Sequence, residues 1–172
     1  MSVQWDVGSI PRKRAQVTPE KTAVIYEGEP VSYLRLNQRV NRCAHLFLEK
    51  GMVKGDRVAV ILLNCIEFLE AYFAAAKLGL IFVPLNWRLA PPELQYQLKD
   101  SGARMLLFHD SFVGPVESIR GSIEVDPDKF LFVKSGGPTL PGFPPPACPD
   151  WAEDYEGLVS DRPSNEPQPP LP

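Results

Sequence analysis

Several classes of protein are set aside by what this sequence lacks. It has three cysteines, Cys43, Cys65 and Cys148. The number is odd, and no two form a Cys-x-x-Cys pair. Cys43 and Cys65 lie inside apolar runs, where a reduced thiol packs as a small hydrophobe. A disulfide framework or a zinc cluster is therefore not expected, and a reducing, cytoplasmic setting is. No block of Lys or Arg stands out, and the net charge is −3 with both signs interspersed. That leaves no electrostatic footprint for nucleic acid. The N-terminus, MSVQWDVGSIPRKRAQ, has no apolar core of the kind a secretory signal needs. The longest apolar stretch, around Phe68 to Leu80, is broken by Lys77 and is too short to cross a bilayer. No internal repeat of fixed period is visible.

The 172 residues, 44% hydrophobic, are enough for one domain with a core. The nineteen prolines cluster late and mark an irregular tail. Val7 to Gln16 reads as a short helix, Thr18 to Lys21 as a turn, Thr22 to Tyr26 as a strand and Glu27 to Pro30 as another turn. Ser32 reads as the N-cap of a long amphipathic helix. Its apolar face carries Tyr33, Leu36, Val40, Cys43, Ala44 and Phe47. Arg35, Gln38, Arg42, His45 and Glu49 take the opposite face, and Gly51 closes the helix. Asp56 to Leu63 is a continuous β-branched run, as in a buried parallel strand. Cys65 to Leu78 is a helix that is apolar nearly all round, ended by Gly79.

Leu80 to Val83 and Arg104 to Phe108 read as strands, and a helix from Pro91 to about Asp100 lies between them. Asp110 or Ser111 is expected to cap a helix reaching about Arg120. Lys129 to Val133 is a last strand. Ser135 to Pro149 is an irregular Pro/Gly loop, Trp151 to Val159 a short helix, and Arg162 to Pro172 an extended linker. Strands alternating with helices predict an α/β fold with a doubly wound, mostly parallel sheet. The expected division is a partial domain over residues 1–160, then a Pro-rich linker over 161–172.

Few residues invite a chemical reading. Ser135-Gly136-Gly137-Pro138-Thr139 follows a strand, but Leu140 to Pro146 cannot form the helix a phosphate loop must open. His109-Asp110 sits at a strand's carboxyl end, where ligands gather in open α/β sheets. Neighbouring side chains there diverge and do not make a relay. His45 is expected in solvent. Asn86, Trp87 and Arg88 could border a ligand channel, but the reading preferred is that the polar pair bonds loop backbone and Trp87 packs. Glu67 and Glu70 are expected on the one wet face of their helix.

A larger pattern lies in the order of short landmarks. These are Thr18-Pro19-Glu20-Lys21-Thr22-Ala23-Val24-Ile25, Ser32-Tyr33-Leu34, Leu36-Asn37, Val40-Asn41-Arg42, Gly55-Asp56-Arg57-Val58-Ala59, and Asn64 with Glu67-Phe68. Lys77-Leu78-Gly79 follows and continues through Val83-Pro84-Leu85-Asn86-Trp87-Arg88-Leu89 to Glu93-Leu94. In this order the run from Thr18 to about Arg120 resembles the start of the AMP-binding acyl-CoA synthetase family.

The resemblance implies a parent enzyme, an acid–thiol ligase, that joins a carboxylic acid to AMP, releases pyrophosphate and passes the acyl group to coenzyme A. A fatty acid is the expected substrate. ATP, coenzyme A and Mg²⁺ are implied for the parent. The chemistry needs backbone N–H groups, Mg²⁺ and cationic side chains around developing phosphate charge. The family supplies them with a TSGTTGxPKG-type loop, a later YGxTE segment, a ribose-binding Asp and a C-terminal Lys. None of these is present in the 172 residues, and the resemblance places the first shortly after Pro172, so that the 161–172 linker leads to the missing ATP-binding loop. The chain is therefore expected to be an incomplete N-terminal part of the fold, inactive alone, with no catalytic, cofactor-binding or metal residue of its own. Its exposed apolar surface is expected to make it self-associate. Adenylation domains of peptide synthetases, aryl-CoA ligases and luciferase-like enzymes start similarly. A non-catalytic interaction module is the remaining alternative.

Overall fold

The computed structural model describes residues 6–135 and 146–168. The middle of the Ser135 to Pro149 loop, including Gly136 to Thr139, lies outside them. The chain divides into two compact units, one holding residues up to Gly55, Cys65–Ile81 and Val159 onward, the other Asp56–Asn64 and Phe82–Leu158.

The first unit is helical with a hairpin. Helix α1 spans Ser9–Val17. Strands β1 (Thr22–Tyr26) and β2 (Glu29–Ser32) pair antiparallel. Only half of the predicted Glu27–Pro30 turn is therefore a turn. Glu27 and Gly28, at φ 51° and 85°, make the two-residue connection, and both positive angles match the twist of a tight hairpin. Pro30 sits within β2, where an edge strand tolerates its missing N–H.

Helix α2 (Tyr33–Glu49) starts as expected: the Ser32 hydroxyl accepts from the Arg35 N–H at 3.2 Å. Leu36, Val40, Cys43, Ala44 and Phe47 are buried at 3% exposure or less. Helix α3 spans Ile66–Leu78 and ends at Gly79 in the left-handed conformation. α2 packs against both α1 and α3. Gly8 lets the start of α1 approach α3 closely. A Cβ there would stand 2.6 Å from the Lys77 backbone nitrogen, so any larger residue would push α1 off α3.

The side of α3 turned into the unit is lined by small residues: Ala71, Ala74 and Ala75 are fully buried. Phe68, Leu69 and Phe73 are only half-buried, and Tyr72 is 36% exposed. Glu70 corrects the expectation of a wet face. It is 0% exposed, and both its oxygens meet the Arg39 guanidinium, Nε–Oε1 at 2.7 Å and Nη2–Oε2 at 3.0 Å. Glu67 is partly exposed in the first turn, where its charge suits the helix dipole.

The second unit holds the sheet. Strands β3 (Arg57–Ile61), β4 (Ile81–Pro84), β5 (Met105–His109), β6 (Phe130–Val133) and β7 (Glu153–Asp154) take the order β4-β3-β5-β6-β7. The pairings of β3 with β5, β5 with β6 and β6 with β7 are parallel. This is the mixed α/β fold that the alternating pattern predicts. Helices α4 (Pro91–Ser101) and α5 (Val113–Ile119) join them. The Glu93 carboxylate accepts from the Ala90 N–H at 2.9 Å and steadies the start of α4.

One core cluster gathers Ala59, Ile61, Leu106, Phe108, Phe130 and Phe132 from the strands with Leu94, Leu98, Val116 and Ile119 from the helices. The alternate strand residues, including Val58, Val60, Met105 and Leu107, are also at 1% exposure or less. Burial on both faces explains why these strands read as continuous apolar runs. The predicted helix from Trp151 instead begins with β7, and helix α6 runs over Tyr155–Ser160.

Candidate functional site

In parallel α/β sheets a ligand crevice opens at the carboxyl ends of the strands, where the strand order reverses. Here β4 lies on one side of β3 and β5 on the other. The reversal therefore falls between β3 and β5, and its carboxyl end is formed by Leu63-Asn64 and His109-Asp110. His109 is 2% exposed, and its Nδ1 accepts from the Leu63 N–H at 3.0 Å. That contact puts the ring proton on Nε2.

Asp110, 3% exposed, accepts at Oδ2 from the Ser135 N–H at 3.1 Å and from the Ser135 hydroxyl at 2.8 Å. Its Oδ1 accepts from the Ser111 hydroxyl at 3.2 Å. Neither Asp110 nor Ser111 caps α5, which follows a 3₁₀ turn over Asp110–Phe112 with no side-chain cap at its start. The pair works across the sheet. His109 ties the end of β5 to the segment after β3, and Asp110 ties it to the segment after β6. A buried carboxylate with several donors is well satisfied, and a polar set of this kind fixes loops.

The stretch after β4 adds Asn86, Trp87 and Arg88. Asn86 Oδ1 accepts from the Arg88 N–H at 3.1 Å, so the amide shapes the turn as expected. Trp87 departs from expectation. It is 42% exposed and carries the Arg88 guanidinium over its ring, 4.3 Å from the centroid.

Both donors of Ser135, its N–H and its hydroxyl, are given to Asp110. Among the described residues no group of three His, Cys, Asp or Glu side chains is placed to hold a metal ion.

A second polar cluster, in the helical unit, was not read from the sequence. Lys77 Nζ donates to Asn37 Oδ1 at 2.9 Å, Asn41 Oδ1 at 2.6 Å and Glu166 Oε2 at 2.7 Å. Glu166 Oε1 in turn accepts from the Asn37 amide at 2.9 Å and the Asn41 amide at 3.2 Å. Burial pushes the Lys77 ammonium below its ordinary pKa, with Glu166 pulling the other way. Burial also pushes Glu166 up, but hydrogen bonds from Lys77, Asn37 and Asn41 outweigh it and hold the carboxyl below the usual range. Both pKa values move down, which favours the Glu166 anion and penalises the Lys77 cation. The three acceptors on Nζ decide the matter for the ion pair.

His45 belongs to the same face of α2. It is half-buried, with Nε2 3.1 Å from the Asn165 carbonyl, not solvated as expected. One signal for the cluster was present: Asn37 and Asn41, four apart, sit among the apolar positions of α2. A buried amide pair needs a polar partner.

The segments after β3, β5 and β6 are bound to one another by structural polar contacts. The family follows from comparison with known proteins. The family model described as "AMP-binding enzyme" matches residues 11–149, and the chain belongs to that family. It is 31% identical over 169 residues to the long-chain-fatty-acid–CoA ligase FadD13 of Mycobacterium tuberculosis, covering 94% of this chain and 30% of that protein. It is 42% identical over 102 residues to the fatty acid–[acyl-carrier-protein] ligase ScoC of Streptomyces coeruleorubidus, covering 59% of this chain and 20% of the relative. A solved Mycobacterium tuberculosis fatty acyl CoA synthetase superposes with a TM-score of 0.77 at 26% identity, over 96% of this chain and 30% of that one. The chain thus spans about 30% of the length of the fatty-acid ligase it matches.

Proposed function

We propose that this chain is the N-terminal part of an ATP-dependent acyl-CoA synthetase acting on fatty acids. The observation that carries the reading is the near chain-long similarity to a long-chain-fatty-acid–CoA ligase. In the parent, a fatty carboxylate attacks the α-phosphorus of ATP, and pyrophosphate leaves. The thiol of coenzyme A then displaces AMP from the acyl-adenylate. ATP, Mg²⁺ and coenzyme A are held by residues outside this span, and the 172 residues alone catalyse neither step. The span supplies sheet and helical scaffold. Among the described residues no helix is long and apolar enough to cross a membrane, and a cytoplasmic parent suits a span whose three cysteines form no disulfide.

The similarity to a ligase named for an acyl-carrier protein favours a second reading, in which the acceptor is a carrier-protein thiol. The test uses the polypeptide translated through the downstream reading frame. Acyl-adenylate is trapped with hydroxylamine for a series of fatty and aryl acids, and then coenzyme A or carrier protein is added. Hydroxamate from long-chain acids and thioester with coenzyme A are expected. Selective activation of aryl acids would overturn the substrate class, and transfer only to carrier protein would favour the second reading.

A further inference from the structure

Residues 161–168 form no helix or strand and contain no buried residue. Apolar burial does not hold this segment in place, yet it lies along α2 through a row of polar contacts. Arg42 donates to the Ser160 carbonyl, and Arg162 Nη2 donates to Glu49 Oε1 at 2.8 Å. His45 meets the Asn165 carbonyl, and the Asn41 amide donates to the Ser164 carbonyl at 2.8 Å. The row ends at Glu166, locked onto Lys77, Asn37 and Asn41. Four of the five α2 positions involved, 37, 41, 45 and 49, recur every four residues, with Arg42 beside them, so one stripe of the helix serves as a track.

We infer that this stripe and Lys77 form a latch for the 160–168 segment, with Glu166 as the positioning residue that orients the chain entering the parent's phosphate-binding region. This rests on the synthetase reading for its functional half. The latch half stands on geometry alone. The latch is separable from the fold, because 161–168 shares no core with it. It is also sensitive to charge. Lys77 faces Arg12 and Asp6 from α1 and the residues before it, as well as Glu166. Glu166 is held below the usual carboxylate range by its donors, so the latch is intact above that range and opens as pH falls through the depressed value.

The test has two arms. In the first, a nitroxide is placed at Gln168→Cys in the 172-residue chain carrying Cys148→Ser, and its line shape is recorded at micromolar concentration. An immobilised spectrum is expected at neutral pH, becoming several-fold faster in Glu166→Ala and on acidification, with far-UV circular dichroism unchanged. Glu166→Gln keeps the shape of the side chain and is expected to show no acid-induced release. An identical spectrum in Glu166→Ala, or acid release in Glu166→Gln equal to that of the parent chain, would overturn the latch.

In the second arm, Glu166→Ala is made in the polypeptide extended through the downstream frame. The KM for ATP is expected to rise several-fold with the KM for fatty acid unchanged. An active extended enzyme indifferent to Glu166→Ala would overturn the positioning role. An extended polypeptide that forms no acyl-adenylate would overturn the synthetase reading and that role with it, while the line shapes still decide the latch.

Discussion

Replacing Arg39 with methionine is expected to cost this protein a large part of its stability. The Glu70 side chain is 1% exposed and the Arg39 side chain 20%. Two short contacts, 2.7 and 3.0 Å, join the guanidinium edge to both carboxylate oxygens. Such a bidentate pair is strong because each donor is charge-assisted and the fork matches the carboxylate. Arg39→Met removes those donors and leaves a carboxylate inside the unit. Breaking a buried pair from one side costs about 3–5 kcal/mol. A folded domain holds about 5–15 kcal/mol in all.

The double variant Arg39→Met with Glu70→Met separates the pair's own worth from the cost of leaving a buried carboxylate without the guanidinium. It fills similar volume with apolar groups and is expected to recover most of the loss. The assay is urea unfolding followed by circular dichroism, with calorimetry. At roughly 2–4 °C per kcal/mol for a chain of this size, the single variant should lower the midpoint by about 6–20 °C. A single-variant loss below about 1 kcal/mol would mean the pair behaves as a surface bridge. A double variant as unstable as the single one would mean that Glu70's lost contacts with Arg39 are not the cause. Either result refutes the reasoning.

Phe108→Ala should cost about 3–5 kcal/mol by urea unfolding, because the ring is fully buried, stacked on Trp151 at 5.4 Å and edge-on to Phe132 at 6.1 Å. Cys65 should resist iodoacetamide at pH 8 in the folded chain, since burial first, then Glu67, pushes its thiol up to about 12. Its thiolate becomes abundant only near that pH, and fast labelling of Cys65 seen by peptide mass spectrometry would contradict this. The half-buried Phe68, Leu69 and Phe73 with Tyr72 on α3 should drive concentration-dependent self-association, each apolar side chain left open forfeiting roughly 1.5–3 kcal/mol. Sedimentation velocity showing one monodisperse monomer at all concentrations would count against that.

What could be read from the sequence was what is locally encoded. The Ser32 cap, the Gly51 and Gly79 ends, the β-branched run of β3 and the apolar run of β5 each carry their signal within a few residues. β2 and β7 were not legible, because Glu29-Pro30 and Glu153-Asp154 carry no strand signal of their own and extend only through their partners. Pro30 reads as turn chemistry until β1 is beside it. The same reason hid the polar clusters. Glu70 looked like the wet side of α3 because Arg39 lies a helix away, and His45 looked solvated because Asn165 is 120 residues distant. Asn37 and Glu166 are separated by 129 positions. Their meeting depends on tertiary packing that no window of periodicity contains.

The central claim, that this chain is the N-terminal scaffold of a fatty-acid-activating synthetase, is tested most directly by fatty-acid-dependent exchange of labelled pyrophosphate into ATP. The purified 172-residue protein and the polypeptide extended through the downstream reading frame are measured side by side. The account predicts exchange that depends on long-chain acid for the extended polypeptide and none above background for the 172 residues. Exchange by the 172 residues alone, or none by the extended polypeptide with any carboxylic acid, would contradict it.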